Sequence, residues 1–382
     1  MDFSFSDEQK QLRSQIIDFC QQELNKGASE RDRAQSFPGD LWRKCGEMGL
    51  QGLPVPEEYG GVGMDPLSTA IALEAFGYGC HDGGLVFALC AHLLACVVPI
   101  WKHSDEEQKR RYLPKLCDGR LIAVNAMTEP ESGSDAFAMT SRAVPDGDGF
   151  RITGRKIFAS NGPVADLALV YAVVDGSQGG KGGITGFLVE KETPGFQVGQ
   201  TFEKMGLRTA KISELIFEDA WVPATAVIGG VGGGTTVFSQ SMDWERSLLV
   251  ATHLGAMQRL LEEAVKYARI RKAFGKPISK FQAVSHRLVD MKVQLEAARL
   301  LVYKAASRLD VSREVQMDSA IAKLYVSEAF IANALDTVRT FGGYGFMAEY
   351  DVERSFRDAV GGVLYSGTSD MQRNVIAGWL GL

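Results

Sequence analysis

The sequence predicts an α+β chain in three parts: a helical N-terminal domain (residues 1–120), a middle β domain (121–228) and a C-terminal helical bundle (229–382). Three observations predict it. A chain of 382 residues exceeds the size at which a single core stops growing, so two or three packed subdomains are expected. The hydrophobic pattern changes from helical spacing to short β-rich runs near residue 121 and reverts after 228. The stretch IGGVGGGTT (228–236) marks that second change.

Composition narrows the class. With 45% hydrophobic and 23% charged residues the chain is neither disordered, collagen-like nor a coiled coil. A net charge of −6 does not supply the basic footprint of a nucleic-acid partner. The start, MDFSFSDEQKQLRSQ, lacks the basic and apolar regions of a signal peptide.

In the first part, LPVPEEYGGVGMDP breaks regular structure through Pro54, Pro56, Gly60, Gly61 and Gly63. The run from Gly84 to Trp101 is shorter than a bilayer span of about 20 residues and carries His92, which predicts a buried helix and no membrane partner. SDEEQKRRYLPKL places its acids early, as helix starts prefer. All six cysteines (Cys20, Cys45, Cys80, Cys90, Cys96 and Cys117) lie in the first third, without a CxxC pair, and read as reduced buried thiols of a cytoplasmic protein. The five histidines show no ligand spacing, so no metal is expected.

In the second part DLALVYAVV, GITGFLVEKE and SELIFEDAWVP read as strands bounded by turn formers, and GSQGGKGG as a flexible surface loop. In the third, Phe281, Val284, Leu288, Met291, Leu295, Ala298 and Val302 repeat at three- and four-residue intervals on one face of a long helix. Further amphipathic helices are expected over about 236–271 and 313–341, with a last one from about 368.

Familiar nucleotide and hydrolase signatures fail. GGVGGGTT lacks the GK[ST] ending of a P-loop. FGGYGF (341–346) follows a helix rather than a strand, which excludes a Rossmann site, and no GxSxG elbow exists. Longer strings are more specific. They are Met127-Thr128-Glu129-Pro130-Glu131-Ser132-Gly133-Ser134-Asp135, then Lys156-Ile157-Phe158-Ala159-Ser160-Asn161-Gly162. Arg271-Lys272-Ala273-Phe274-Gly275-Lys276-Pro277-Ile278 follows, with Phe281 and Gln282 just after it. Phe341 to Phe346 and Tyr365-Ser366-Gly367-Thr368-Ser369-Asp370-Met371-Gln372 complete the set. In this order and spacing the strings resemble the acyl-CoA dehydrogenase family over essentially the whole chain.

The resemblance implies the family fold, with a C-terminal four-helix bundle, a homotetramer and one noncovalent FAD per subunit. It implies that Met127, Thr128, Gly133 and Ser134 line the flavin ring and phosphate region, and that Phe158 and Ser160 flank the isoalloxazine. Arg271, Phe274 and Gln282 match positions that reach the FAD of a neighbouring subunit, where an arginine fork suits a pyrophosphate. Gly342, Gly343, Thr368 and Asp370 match positions around the rest of the dinucleotide, and Arg339 stands where members often carry glutamine.

Many members carry their catalytic base in the string Y-E-G-T. Here that position is Ser366, whose hydroxyl cannot take an α-proton unaided. Enzymes resembling isovaleryl-CoA dehydrogenase use instead a glutamate in a string like L-D-L-E-R-L, matched by Met242-Asp243-Trp244-Glu245-Arg246-Ser247. The match assigns the base to Glu245, with Asp243 the other carboxylate nearby, and places Asp243, Arg246 and Tyr365 around the substrate. The Ser366 N–H and a ribityl hydroxyl would hold the thioester carbonyl while the α-proton leaves to Glu245 and the β-hydrogen as hydride.

A narrower resemblance concerns the thioester. FALCAHLLACVVPIW, MDWERS, YSGTSDMQ and the ending GWLGL look like the L-prolyl carrier-protein dehydrogenases of natural-product pathways. It implies a prolyl group on a phosphopantetheine arm, with Lys109, Arg110, Arg111, Lys204, Arg208 and Lys211 available to an acidic carrier helix. Other acyl-carrier or acyl-CoA thioesters, oxidase activity and a non-catalytic flavoprotein scaffold remain open at this point.

Overall fold

The computed structural model describes residues 5–174, 183–312 and 314–382. The N-terminal helices are α1 (Asp7–Phe19), α2 (Ala28–Ala34), α3 (Gly39–Glu47), α4 (Pro66–Gly79), α5 (Gly83–His92), α6 (Val98–His103) and α7 (Glu106–Cys117). Their starts follow from side-chain chemistry. Asp65 accepts from Leu67 and Ser68 N–H groups ahead of Pro66, and Asp105 forms a capping box with Gln108. The stretch Gly83–His103 is long and apolar enough to cross a membrane, yet 83% of its most apolar window is buried in this fold. All six thiols are buried and unpaired.

The middle part is one twisted sheet of β1 (Ala123–Ala126), β2 (Arg142–Asp146), β3 (Gly149–Ser160), β4 (Leu167–Val174), β5 (Ile184–Glu190), β6 (Phe196–Thr201), β7 (Ile212–Pro223) and β8 (Val227–Ile228). The order is β6-β7-β3-β2-β4-β5-β8, with β1 pairing parallel to β4. The three expected strands are β4, β5 and β7. The segment GSQGGKGG, save Gly183, lies outside the described residues. One hydrophobic core fills the β part, and a second runs through both helical parts.

The C-terminal part is α8 (Gly234–Ile270), α9 (Gln282–Arg308), α10 (Val315–Phe341), α11 (Val352–Gly361) and α12 (Ser369–Trp379), with β9 (Lys272–Ala273) and β10 (Lys276–Pro277) as a short hairpin. Helices α8, α9, α10 and α12 make the expected four-helix bundle, and the shorter α11 packs on α10 as a further helix. Glycines let α8 cross α4 at backbone contact: a Cβ at Gly77 would lie 2.0 Å from the Thr252 carbonyl, and one at Gly255 2.1 Å from that of Glu74. Arg299 and the Tyr303 hydroxyl of α9 close on Glu74 of α4 at 2.9 and 2.6 Å. The α8 segment that carries Met242 to Ser247 is thereby held against α5, α6 and the sheet.

Candidate active site

Glu245 sits two turns along the face of α8 from Phe238, whose ring packs on Tyr171 of β4 at 5.7 Å. It is 8% exposed, and Ser366, 121 residues later, donates its hydroxyl to Glu245 Oε1 at 2.5 Å. Burial pushes the Glu245 carboxyl above its ordinary range, while the Ser366 bond and the Arg246 and Lys323 charges pull it down. Cys90, Cys96, Tyr171 and Tyr365 all feel the Glu245 charge. The surroundings are therefore a dry, largely neutral chamber in which a carboxylate has heightened basicity.

Ser366 lies on a turn with left-handed backbone at Ser366 (φ 55°) and Gly367 (φ 85°). Three helices hold it there. Arg246 of α8 donates Nε to the Ser366 carbonyl at 3.0 Å. Gln372 of α12 donates to the Ser366 and Gly367 carbonyls at 3.1 and 2.8 Å, and Lys323 of α10 to Gly367 at 2.7 Å. The Ser366 N–H donates to no acceptor among the described residues. Tyr365 packs at a tilt against Phe87, with ring centroids 4.7 Å apart, and its hydroxyl lies 2.7 Å from His253 Nε2. Burial and the Lys323 charge push His253 down to about 3, so it stays neutral.

The structure separates Asp243 from this chamber's hydrogen bonds. Asp243 lines a cavity of about 480 Å³ with Lys102, His103, Trp244 and Asp310. Its Oδ1 is buried without a hydrogen-bond partner among the described residues, and burial lifts its carboxyl to about 6 against the pull of Arg246. Lys102 is stacked 4.1 Å over Trp101 and bonded to Asp310 at 2.6 Å. Arg246, expected beside the substrate, lies at the same turn, where its Nε holds the Ser366 carbonyl.

A second group forms where the loop after β1 meets β3. The Ile157 N–H donates to the Thr128 carbonyl at 2.9 Å, joining the strings that begin at Met127 and Lys156. The register slips between Lys156 and Ala159, and this bulge turns Phe158 outward at φ 54° and 58% exposed, with Ser160 closing the strand. Gly133 and Ser134 lie on the adjoining exposed loop, and a Cβ at Gly133 would meet nothing within 4 Å. Beneath the loop, fully buried Lys156 donates to Glu129 at 2.8 Å and to the Met127 carbonyl at 3.2 Å. Glu129 also accepts from the Thr140 N–H and hydroxyl and the Ser141 N–H. Burial opposes its ionisation, but the Lys156 charge and these donors outweigh it, drawing the carboxyl down to about 2.

A third group lies at the far end of the bundle. Arg271 caps α8 with its guanidinium 5.8 Å from the Tyr344 ring, next to Gly342 and Gly343. Phe274, at φ 50° on the β9–β10 turn, is 95% exposed, and exposed Gln282 opens α9. Arg339 is engaged with Asp336 at 3.1 Å. Thr368 caps α12 by accepting from the Met371 N–H, and Asp370 pairs with Arg373 at 3.0 Å. These two stay with the Ser366 turn. Since Lys323 touches that turn, the rise of α10 sets Gly342 roughly 30 Å away within one chain.

Sequence reading missed Lys323, Gln372 and His253, and the structural role of Glu129 with Lys156. A lysine amid Ala320, Ala322 and Val326 in a helical core pattern was the available signal for Lys323.

The fold and the chamber define a flavoenzyme-type scaffold with a buried carboxylate, and the comparisons fix its family. The acyl-CoA dehydrogenase N-terminal, middle and C-terminal domains match residues 6–120, 125–220 and 232–381, so the chain belongs to the acyl-CoA dehydrogenase family. Within it, the chain is 44% identical over 378 residues to an L-prolyl-[peptidyl-carrier protein] dehydrogenase of Pseudomonas fluorescens, covering 99% of each. The crystal structure of the prolyl acyl carrier protein oxidase AnaB superposes with a TM-score of 0.97 at 42% identity, over 99% of this chain and 100% of that one. PigA with FAD and proline gives 0.97 at 38% identity over 100% of both.

Proposed function

We propose that this enzyme oxidises an L-prolyl group held as a thioester on a carrier protein, with FAD as cofactor. The single observation that carries the reaction is the buried Glu245 carboxylate, 2.5 Å from the Ser366 hydroxyl and beside a Ser366 N–H that no acceptor among the described residues uses. The match to prolyl carrier-protein enzymes over the whole chain carries the substrate.

The residues present fit FAD. Exposed Phe158 offers a flat apolar contact, open backbone at Gly133 admits close approach, and Thr128, Ser134 and Ser160 supply hydroxyls to a polar ring edge. When bound, FAD supplies the acceptor for the β-hydride. Glu245 takes the α-proton, and the Ser366 N–H holds the thioester oxygen as negative charge develops there. Arg246 and Gln372 keep that N–H aimed by fixing the next carbonyl. Tyr365 forms a wall of the prolyl site, braced by His253 and Phe87.

Arg271, Phe274, Gln282, Gly342 and Gly343 serve the dinucleotide of another subunit in a homotetramer. Their separation from the Ser366 turn and the exposure of Phe274 and Phe346, 95% and 78%, support that assembly. The domain limits near residues 120 and 228 are proposed as linkers.

Anaerobic absorbance of the bound flavin tests the reading. Bleaching by L-prolyl carrier protein and not by short acyl-CoAs is expected; bleaching by acyl-CoA alone would overturn the substrate.

A further inference from the structure

Buried lysines are rare and usually paired with a carboxylate, because an ammonium removed from water without one is costly. Lys323 is 1% exposed, and its one hydrogen bond among the described residues is to the Gly367 carbonyl. No carboxylate lies within ion-pair distance of it there. The hydrogen bond itself is duplicated, since Gln372 already holds the Gly367 carbonyl at 2.8 Å and that of Ser366 at 3.1 Å. What Lys323 adds to the turn is charge.

We propose that Lys323 is a positioning residue for the reaction. From α10 its ammonium holds the left-handed Ser366–Gly367 turn and sets a positive charge beside the Glu245 chamber, so that the Ser366 hydroxyl meets an ionised carboxylate. The proposal rests on the reading of Glu245 as the base.

The charges facing each group agree. Lys323 faces Glu245, Arg246 and His253 from α8 and Glu328 from α10 itself. Of these His253 is neutral, so the cations on the chamber are Lys323 and Arg246. Around Glu245 the remaining titratable groups are Cys90, Cys96, Tyr171 and Tyr365, all raised by burial and therefore neutral. Arg246, the stronger of the two charges on Glu245, holds the Ser366 carbonyl, and Lys323 adds a second cation bound one residue further along the same turn. Burial and the Arg246 charge push Lys323 down to about 8, so it is cationic through the range in which a carboxylate base must ionise.

Solvent deuterium incorporation at Cα of L-prolyl carrier protein isolates proton abstraction from hydride transfer. It is followed by mass spectrometry, anaerobically, with FAD-loaded enzyme across pD 5 to 9. Lys323→Gln keeps a donor and removes the charge; Lys323→Arg keeps the charge. The acidic limb of the Lys323→Gln profile should move up by about one unit, making exchange roughly tenfold slower below the limb and near wild type above it. Lys323→Arg should overlay the wild-type limb. Should Lys323→Gln not retain FAD, Lys323→Met gives the same reading with an uncharged chain of similar length. An unmoved limb in the uncharged variants, whether the rate is unchanged or lowered by one factor at every pD, would overturn the proposal. Wild-type exchange in Glu245→Gln would instead sink the base assignment, which keeps the two failures apart.

Discussion

Lys156 and Lys323 are both shut off from solvent, at 0% and 1% exposure, yet their partners differ in kind. Lys156 meets Glu129 at 2.8 Å, and that carboxylate takes three further donors from Thr140 and Ser141. The pair is closed: each charge is matched where it lies. Among the described residues Lys323 meets only a carbonyl oxygen, and the carboxylate it influences belongs to the chamber rather than to itself. A closed pair fixes a loop; an open charge is available to a reaction. On the function proposed above, that difference makes the β part a rigid support for the proposed flavin surface and the bundle the part that tunes the proposed base.

The comparison can be broken in order of effect. Lys156→Met strands the Glu129 charge in the β core and should cost about 3–5 kcal/mol, read as a fall in the urea midpoint with loss of bound FAD. A variant as stable as wild type would show the pair to be dispensable. The same pair predicts a pH dependence. Glu129 is held at about 2, below its unfolded value, so its contribution is complete above about pH 4.3 and disappears as pH falls toward 2. Urea midpoints from pH 5 down to 2.5 should fall more steeply for wild type than for Glu129→Gln.

Next comes Ser366→Ala. The hydroxyl lowers the proton affinity of Glu245, so its removal should raise the pH at which the base ionises. Turnover should drop about tenfold at the acidic end and recover as pH rises; a uniform loss at all pH values would assign Ser366 to packing. The smallest effect is expected for Lys323→Met on stability. Trading a carbonyl-bound ammonium for a thioether of similar length should change the unfolding free energy by less than about 1 kcal/mol, read from the urea midpoint, in contrast to Lys156→Met.

The long helices and the strands DLALVYAVV, GITGFLVEKE and SELIFEDAWVP were legible because their periodicity is local. The glutamate in MDWERS and the serine in YSGTSDMQ were legible as a matched loss and gain. That Ser366 would donate to Glu245 was not, since the contact spans 121 residues. Asp243 and Arg246 illustrate the limit. They flank Glu245 in sequence, but helical geometry sends Asp243 to the Lys102–Trp244 cavity and keeps Arg246 on the Ser366 turn, a difference the sequence does not display. Glu129 and Lys156 sit inside the strings expected to touch flavin, and only the fold shows them buried on each other.

The most direct test compares wild type with Glu245→Gln, both FAD-loaded and anaerobic, mixed with L-prolyl carrier protein while flavin absorbance is recorded. The account predicts rapid bleaching in wild type and a rate at least about a hundredfold lower in the variant, with FAD still bound. Bleaching of the variant at the wild-type rate would contradict it.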